Sequence, residues 1–244
     1  MPHLLDIVIP CYGKSEMIRE CVKHVAPEHR IILVDDCGPE FPVELKNTQK
    51  VVRTPSNKGF PAAVNLGVSR GKSPLVMLLN TDVTLTDTTI PELLKEMDRP
   101  EVGIAGPMLI FPEKSKWGTP GKVQHAGMAF DITGKPLHLY LGWSPNNPRV
   151  EARKEVQAVT GACFITRRAL WEKIGGLWEG YGKGTYEDVE YCVRVKELGF
   201  QVIYQPHAVA IHAVGGSEGQ FPLSENYFKF RQRCKVTWSE YKLW

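Results

Sequence analysis

The sequence lacks the features that define several large classes of protein. Its 244 residues include six cysteines, and no two of them form a C-x-x-C pair, which argues against a zinc site and a disulfide framework. No basic segment followed by a signal-length apolar stretch opens the chain, and no apolar run reaches the length of a membrane span. We therefore expect reduced thiols in a cytoplasmic protein that is not exported.

A strong net charge and the common nucleotide-binding signatures are also missing. The formal charge is +3 with 23% charged residues, which gives no electrostatic reason to expect a nucleic-acid partner. Neither G-x-G-x-x-G after the first predicted strand nor G-x-x-x-x-G-K-[ST] occurs in the sequence. These absences argue against a dinucleotide site of the usual kind and against a P-loop.

One apolar run organises the rest of the chain. Residues Leu75–Leu79 have no polar alternation, which predicts a strand covered on both faces. Asn80, Thr81 and Asp82 follow at once, at the carboxyl edge where open α/β sheets bind ligands. A carboxylate held there suits a divalent cation. The alternative is that Asp82 and Asp87 only cap turns and the next helix.

Strands alternate with helices along the first part of the chain. Residues 4–10, 31–34 and 51–54 are predicted strands, and apolar positions at helical spacing predict a helix over residues 15–25. This alternation predicts an α/β fold with a mostly parallel central sheet and a nucleotide-binding first half. Polar residues that follow the strands would line one edge of that sheet: Asp35, Asp36, Asn57 and Asp82.

The second part of the chain is less regular. We expect a pair of strands over residues 102–111, then a partly irregular excursion over 112–153 that carries substrate contacts. A strand is predicted over residues 156–166 and a helix over 185–198. A last strand, over residues 200–212, contains a proline and ends at a histidine.

Two features of this second part have alternative explanations. Glu187 and Asp188 lie in the first turn of a predicted helix, where they either complement the helix dipole or supply a general base. The aromatic and basic segment Pro222–Trp244 either forms a helix that closes over the core or presents an amphipathic surface to a partner or membrane. We favour closure over the core.

Together these landmarks resemble glycosyltransferase family 2, inverting enzymes of the GT-A fold, and especially its rhamnosyltransferase-like members. The similarity rests on motifs that occur in order along nearly the whole chain: DIVIPCYG, ILVDDCG, SNKGFPAAVNLG, LLNTDV, VQHAG, the block from VTGACF to KELGF, and VIYQPHAVAIHAVGGS. The resemblance implies one GT-A domain over residues 1–244. Its Rossmann-like nucleotide-sugar half would span about residues 1–110, its acceptor and catalytic half about 111–220, and its C-terminal aromatic and basic helix 221–244.

The resemblance also implies a nucleotide-sugar site along the sheet edge. Asp35 matches the position that binds the nucleotide base. The other implied donor-binding residues are Pro10, Cys11 and Tyr12 on the pocket floor, with Asp36, Asn57, Lys58, Gly59, Asn80, Thr81 and Asp82.

A metal site is implied at the fourth strand. Asp82 matches the last acid of the family's D-x-D motif, which binds Mn²⁺ or Mg²⁺ on the donor diphosphate, while Asn80 replaces the first acid. With one acid fewer, the metal must rely more on phosphate oxygens and another ligand. His212 matches a histidine that completes the metal shell in some members, and its alternative is a hydrogen-bonded turn histidine.

The catalytic residues are implied by the E-D motif. Asp188 matches the family's catalytic base, and Glu187 would orient rather than react. Leu177-Trp178-Glu179 departs from the Phe-Asp-Glu that the family often has. Trp178 replaces the acid and would stack on the acceptor sugar, with Glu179 beside it. The base and the metal together imply a single displacement that inverts the anomeric configuration.

The implied activity belongs to polysaccharide biosynthesis. It is metal-dependent transfer of a hexose or rhamnose-like deoxyhexose from a UDP- or dTDP-linked sugar to a glycan or lipid-linked glycan, with peripheral membrane contact as an open alternative. Two other functions stay open from the sequence: a sugar nucleotidyltransferase, and a non-catalytic module that binds carbohydrate or a partner. The sequence indicates no oligomeric state.

Overall fold

The computed structural model describes residues 5–13, 15–40, 48–213 and 223–236. Over these residues the strands are β1 (Leu5–Cys11), β2 (Arg30–Asp35), β3 (Thr48–Arg53), β4 (Leu75–Leu79), β5 (Val83–Leu85), β6 (Val102–Ile110), β7 (Val123–His125), β8 (Met128–Phe130), β9 (Pro136–His138), β10 (Lys154–Glu155), β11 (Cys163–Arg167) and β12 (Gln201–His212). The helices are α1 (Ser15–Lys23), α2 (Phe60–Ser69), α3 (Thr89–Met97), α4 (Arg168–Ile174), α5 (Glu187–Glu197) and α6 (Leu223–Arg233), and a short 3-10 turn spans Glu179–Tyr181.

One large mixed sheet forms the centre of the fold. Its strand order is β10-β12-β6-β11-β4-β1-β2-β3, with β5 beside β12 and β7 beside β6. Strands β3, β2, β1 and β4 run parallel to one another, and β6 runs parallel to β12, while β11 lies antiparallel between β4 and β6. The expected α/β fold with a mostly parallel centre is thereby confirmed. Strands β8 and β9 form a separate hairpin.

Helices cover both faces of the sheet, which explains why its central strands are apolar without alternation. On β1, Ile7 and Ile9 belong to a core shared with helices α1 and α3. Val8 belongs to a second core on the opposite face, shared with α2, α4, α5 and α6. Because successive strand residues point to opposite faces, a strand that is buried on both sides must be apolar throughout.

Two predicted strands differ in the structure. Residues 102–111 were expected to form a strand pair, and this was wrong: β6 is one nine-residue strand, bonded to β11 on one side and to β12 on the other. The strand expected over residues 156–166 begins only at Cys163. Before it, the N–H of Gly161 donates to the carboxylate of Asp188 and the N–H of Val156 donates to Val202 on β12, so this stretch is not part of the β11 ladder.

The helix expected over residues 185–198 begins at Glu187. Thr185 and Tyr186 have φ angles of 81° and 73°, in the left-handed region that ends regular helix. Proline in the last strand is tolerated because Pro206 lies in the register shift between Gln205 and Val209, where the ladder is interrupted.

Helix α6 packs on the core, as we favoured for the C-terminal segment. Phe230 is fully buried and stacks with Phe130 at 6.0 Å between ring centroids. Residues 222 and 237–244 of that segment, like Leu4 of the first predicted strand, lie outside the described residues. No helix in the described part of the chain is both long and apolar enough to cross a bilayer.

Candidate active site

The carboxyl ends of β1 and β2 form a joint surface. The N–H of Asp36 donates to the carbonyl of Cys11, and a Cβ on Gly38 would lie 2.2 Å from the backbone nitrogen of Gly13. Only glycine permits that contact between the two loops. Tyr12, half exposed, projects at this edge. The structure therefore brings the predicted pocket floor next to the end of the second strand.

Asp36 holds the predicted donor-binding residues Asn57, Lys58 and Gly59 against this surface. Its carboxylate accepts hydrogen bonds from the backbone N–H of Lys58 at 2.8 Å and of Gly59 at 2.7 Å, and from the Thr54 hydroxyl at 2.8 Å. Asn57 and Lys58 are exposed beside it. Gly59 has a φ of 90°, and a Cβ there would lie 2.0 Å from the carbonyl oxygen of Gly182.

Asp35 is fully buried and already bonded. One carboxylate oxygen accepts from the N–H of Gly38 at 2.9 Å, and the other pairs with the Arg53 guanidinium at 2.7 Å. Burial, with Asp35 and Asp36 nearby, raises the pKa of the Cys11 thiol to about 12. Cys11 is therefore protonated and unreactive at neutral pH. A role for Asp35 in binding the nucleotide base stays a prediction. Its ion-pair partner Arg53 was missed in the sequence analysis.

The structure brings Asp82 and His212 together. Val83 pairs with His212 across β5 and β12, which places His212 Nε2 3.2 Å from Asp82 Oδ1. His212 Nδ1 lies 2.7 Å from Gln124 Oε1. Because an amide oxygen only accepts, Nδ1 must carry a proton. The other ring nitrogen, Nε2, faces the carboxylate of Asp82, so the two side chains are placed to share one cation.

The residues present fit a divalent cation with few protein ligands. Asn80 Oδ1 is buried without a hydrogen-bond partner, so a second acceptor oxygen is available next to Asp82. Within the described ranges, no group of three or more His, Cys, Asp and Glu side chains could hold a metal. Asp82 and His212 could supply two ligands and the Asn80 amide oxygen a third, which leaves positions for diphosphate oxygens.

Asp188 lies beside the start of β11. Its carboxylate accepts from the N–H of Gly161 at 2.7 Å and from that of Val189 at 2.8 Å. The residue after Gly161, Ala162, accepts a hydrogen bond from the N–H of Asn80. Asp188 and the Asn80–Asp82 turn therefore stand at the adjoining ends of two neighbouring strands.

Glu187 is buried next to this carboxylate. Its Oε2 has no hydrogen-bond partner, and burial, followed by repulsion from Asp188, raises its pKa well above the ordinary 4.5. Burial likewise raises the pKa of Asp188 above 3.8, although backbone N–H groups oppose the shift. Two neighbouring carboxyl groups with raised pKa values are typical of acid–base sites.

The structure places Trp178 and Glu179 in a different cavity. It has a volume of about 390 Å³, and its lining includes these two residues with Asn65 and Arg194 but neither Asp82 nor Asp188. Glu179 accepts a hydrogen bond from the Asn65 amide at 3.0 Å.

The indole of Trp178 is also covered by neighbours. The Arg233 guanidinium lies over the ring at 3.9 Å from its centroid. A Cβ on Gly180 would meet three ring atoms at 2.2–2.5 Å, so this glycine packs against the indole. Acceptor binding by Trp178 and Glu179 stays a prediction, and it requires sugar to reach a ring with little open surface.

Polar residues next to the Asp82–His212 pair were missed in the sequence analysis. Gln124 holds His212, and its neighbour His125 is fully buried with Nδ1 2.9 Å from Nδ1 of His138. Burial and repulsion from His138 lower the pKa of His125 well below 6.5. The motif VQHAG contains Gln124 and His125, so the signal was visible, but their partners are 88 and 13 residues away.

Comparison with known proteins identifies the family of the chain. The model of the family described as "Glycosyl transferase family 2" matches residues 6–175. The chain is 32% identical over 85% of its length to the O-antigen biosynthesis protein RfbC of Myxococcus xanthus. It is 28% identical over 78% of its length to the N-acetylglucosaminyl-diphospho-decaprenol L-rhamnosyltransferase of Mycobacterium tuberculosis. The chain spans 17% of the first relative's length and 66% of the second's.

A solved structure shares the fold over almost the whole chain. The crystal structure of GalNAc-T7 with UDP, GalNAc and Mn²⁺ superposes with a TM-score of 0.70 at 18% identity, covering 98% of this chain and 48% of that one. The GT-A fold expected from the motifs is thereby confirmed.

Proposed function

The chain belongs to glycosyl transferase family 2, and on that basis we propose that it catalyses the metal-dependent, inverting transfer of a sugar from a nucleoside diphosphate to a hydroxyl group. One observation carries this proposal. Asp188 and the Asp82–His212 pair stand at the ends of adjoining strands, joined through Gly161 and Ala162 to the Asn80 turn. A base on one side and a charge-neutralising site on the other are what a single displacement requires.

Asp188 would take the proton of the acceptor hydroxyl as that oxygen attacks the anomeric carbon. Two backbone N–H groups fix its carboxylate, so the base is oriented before substrate arrives. Its raised pKa makes it a stronger base than an exposed aspartate. The proton moves from the acceptor oxygen to a carboxylate oxygen, and the departing diphosphate leaves from the opposite face.

Asp82, His212 and Asn80 would hold Mn²⁺ or Mg²⁺ beside the donor diphosphate. When bound, the cation supplies positive charge that stabilises the leaving group. Gln124 keeps His212 in the tautomer whose Nε2 is free to ligate. The predicted contacts at Tyr12, Asn57 and Lys58 would bind the nucleotide along the same edge.

The substrates are proposed from the relatives. A UDP- or dTDP-linked hexose or rhamnose-like deoxyhexose is the donor we propose, and a glycan or lipid-linked glycan the acceptor. The name of the mycobacterial relative includes both L-rhamnose transfer and a diphospho-decaprenol acceptor, and the GalNAc-T7 structure contains UDP and Mn²⁺. Contact with a membrane surface would present a lipid-linked acceptor to this site.

The first experiment measures thermal unfolding with a panel of nucleoside diphosphates and their sugars, each with Mn²⁺ and with chelator. A ligand at 100 times its Kd stabilises the folded state by about 2.7 kcal/mol, which a thermal shift detects. We expect one nucleotide to stabilise the protein only with metal. Asp82→Asn should abolish that shift, whereas Asp87→Asn, an exposed aspartate five residues away, should keep it. The absence of any shift across the panel would favour a carbohydrate-binding module.

A transfer assay then tests the base. Asp188→Asn should lower transfer by about 10³-fold or more while the nucleotide-dependent thermal shift persists. Transfer retained by this variant would refute the assignment of Asp188. Pyrophosphate release from a nucleoside triphosphate would instead identify a sugar nucleotidyltransferase.

A further inference from the structure

The loop that precedes the proposed base has an unusual backbone. Four of its residues have positive φ angles: Gly182 at 66°, Gly184 at 129°, Thr185 at 81° and Tyr186 at 73°. For a β-branched threonine and a bulky tyrosine this region is strongly disfavoured. Such a conformation persists only when the surrounding structure holds it.

Asn226 on helix α6 holds this loop. It is fully buried, and its amide nitrogen donates to the carbonyl of Tyr181 at 3.0 Å and to that of Gly184 at 2.7 Å. The same nitrogen lies 3.1 Å from the hydroxyl of Thr185. One side chain from a distant part of the sequence therefore bonds to both ends of the segment that contains the strained residues.

Helix α6 is itself fixed against helix α5 and against the loop. Arg233 forms a forked pair with the Glu190 carboxylate on α5, with nitrogen–oxygen distances of 2.8–3.0 Å. Phe230 stacks on Tyr186 at 5.4 Å between ring centroids. Asn226 is thus presented from a helix that cannot shift without disturbing α5.

We propose that Asn226 is a positioning residue for the transfer reaction, because it fixes the loop of residues 181–186 that sets the place of Asp188. Asp188 is only two residues after Tyr186. A change in the loop backbone would therefore move the Asp188 carboxylate away from its hydrogen bond with the N–H of Gly161. Displacement of a reacting group by about 1 Å can lower a rate by about 10²-fold. The strand ends of the donor site, on β1, β2 and β4, lie outside this loop, whereas the predicted donor residue Gly59 packs against Gly182 within it. Nucleotide affinity should therefore fall much less than the transfer rate. This inference rests on the proposed function.

The test replaces the amide by an isosteric carboxylate that cannot donate. Asn226→Asp would face two carbonyl oxygens with a negative charge, and Gln232→Glu makes the same chemical change at an exposed position of the same helix. Three quantities are measured for each variant: kcat for transfer, the thermal shift with nucleotide and Mn²⁺, and the rate of tryptic cleavage after the exposed Lys183 in the native protein.

For Asn226→Asp we expect kcat to fall by about 10- to 100-fold, with a much smaller loss of nucleotide affinity and faster cleavage after Lys183. Gln232→Glu should match the wild type in all three. Unchanged cleavage would show that Asn226 does not hold the loop. Faster cleavage with unchanged kcat would show that the loop does not position the base. Equal losses of kcat and nucleotide binding would indicate a general structural role. Each of these three results overturns the proposal.

A second variant tests the same contact, and the cleavage assay does not depend on activity. If Asn226→Asp does not fold, Thr185→Val removes only the hydroxyl contact, and it should still speed cleavage and lower kcat by several-fold. Normal cleavage and kcat in Thr185→Val would then count against the proposal. If the wild type shows no transfer with any donor, the proposed function has failed, while the cleavage rates still report whether Asn226 holds the loop.

Discussion

Replacing Glu187 by glutamine should make the protein more stable, and increasingly so as the pH rises. The carboxyl group is buried, its Oε2 has no hydrogen-bond partner, and Asp188 lies beside it. Burial and that negative neighbour raise its pKa well above 4.5, so the folded state holds the proton that an unfolded chain would release. Glutamine has nearly the same shape and has no proton to lose.

The sign and size of the effect follow from linkage. Between the ordinary pKa and the raised pKa, the folded protein binds more protons at this site than the unfolded chain, so its stability falls as pH rises. Each pH unit in that window costs about 1.4 kcal/mol. For a domain of this size, 1 kcal/mol corresponds to about 2–4 °C in Tm. The Tm advantage of Glu187→Gln should therefore grow by about 3–6 °C per pH unit.

The assay is thermal unfolding of wild type and variant in matched buffers from about pH 5 to about pH 7. Glu172→Gln is the control, because it makes the same chemical change at an exposed glutamate on α4. A Glu187→Gln difference that stays constant with pH would refute the argument. It would mean that Glu187 ionises in the folded protein much as it does in water.

Three further predictions concern the metal pair, the buried ion pair and the donor loop. Gln124→Leu should weaken Mn²⁺ binding by about 10-fold or more in a metal titration followed by thermal shift, and unchanged affinity would mean that the Gln124 contact does not orient the ligand. Arg233→Met should destabilise the protein by about 2–3 kcal/mol in urea unfolding, since Glu190 is then buried without its main partner while Arg233 is itself one third exposed. The double variant with Glu190→Gln should recover part of that loss, and strict additivity would contradict the pairing. Gly59→Ala should cost about 2 kcal/mol or more and abolish the nucleotide shift, because its Cβ would meet a carbonyl oxygen at 2.0 Å. Gly121→Ala, with a similar positive φ but nothing within 4 Å, is its control and should cost about 1 kcal/mol.

The sequence by itself determined the central sheet. Runs such as Leu75–Leu79 are apolar because both faces of the strand are covered, and this pattern is local, so it can be read without knowing the partners. The motifs in their order likewise determined the family. The pattern placed the start of strand β11 too early, at residue 156 instead of Cys163. The N–H of Gly161 bonds to the distant Asp188 rather than to a neighbouring strand, and the local sequence does not show this.

Only the tertiary structure decided which polar residues act together. Gln124 and His212 are 88 residues apart and meet because β7 and β12 flank β6 in one sheet. Asn226 reaches the loop at Gly184 across 42 residues because α6 folds back over the core. No local periodicity encodes such contacts: they arise when buried donors and acceptors find partners as the strands and helices pack. The strands and the candidate acids could therefore be predicted from the sequence. The groups that orient the candidate site residues, Gln124 and Asn226, became visible only from the packing of β12 and α6.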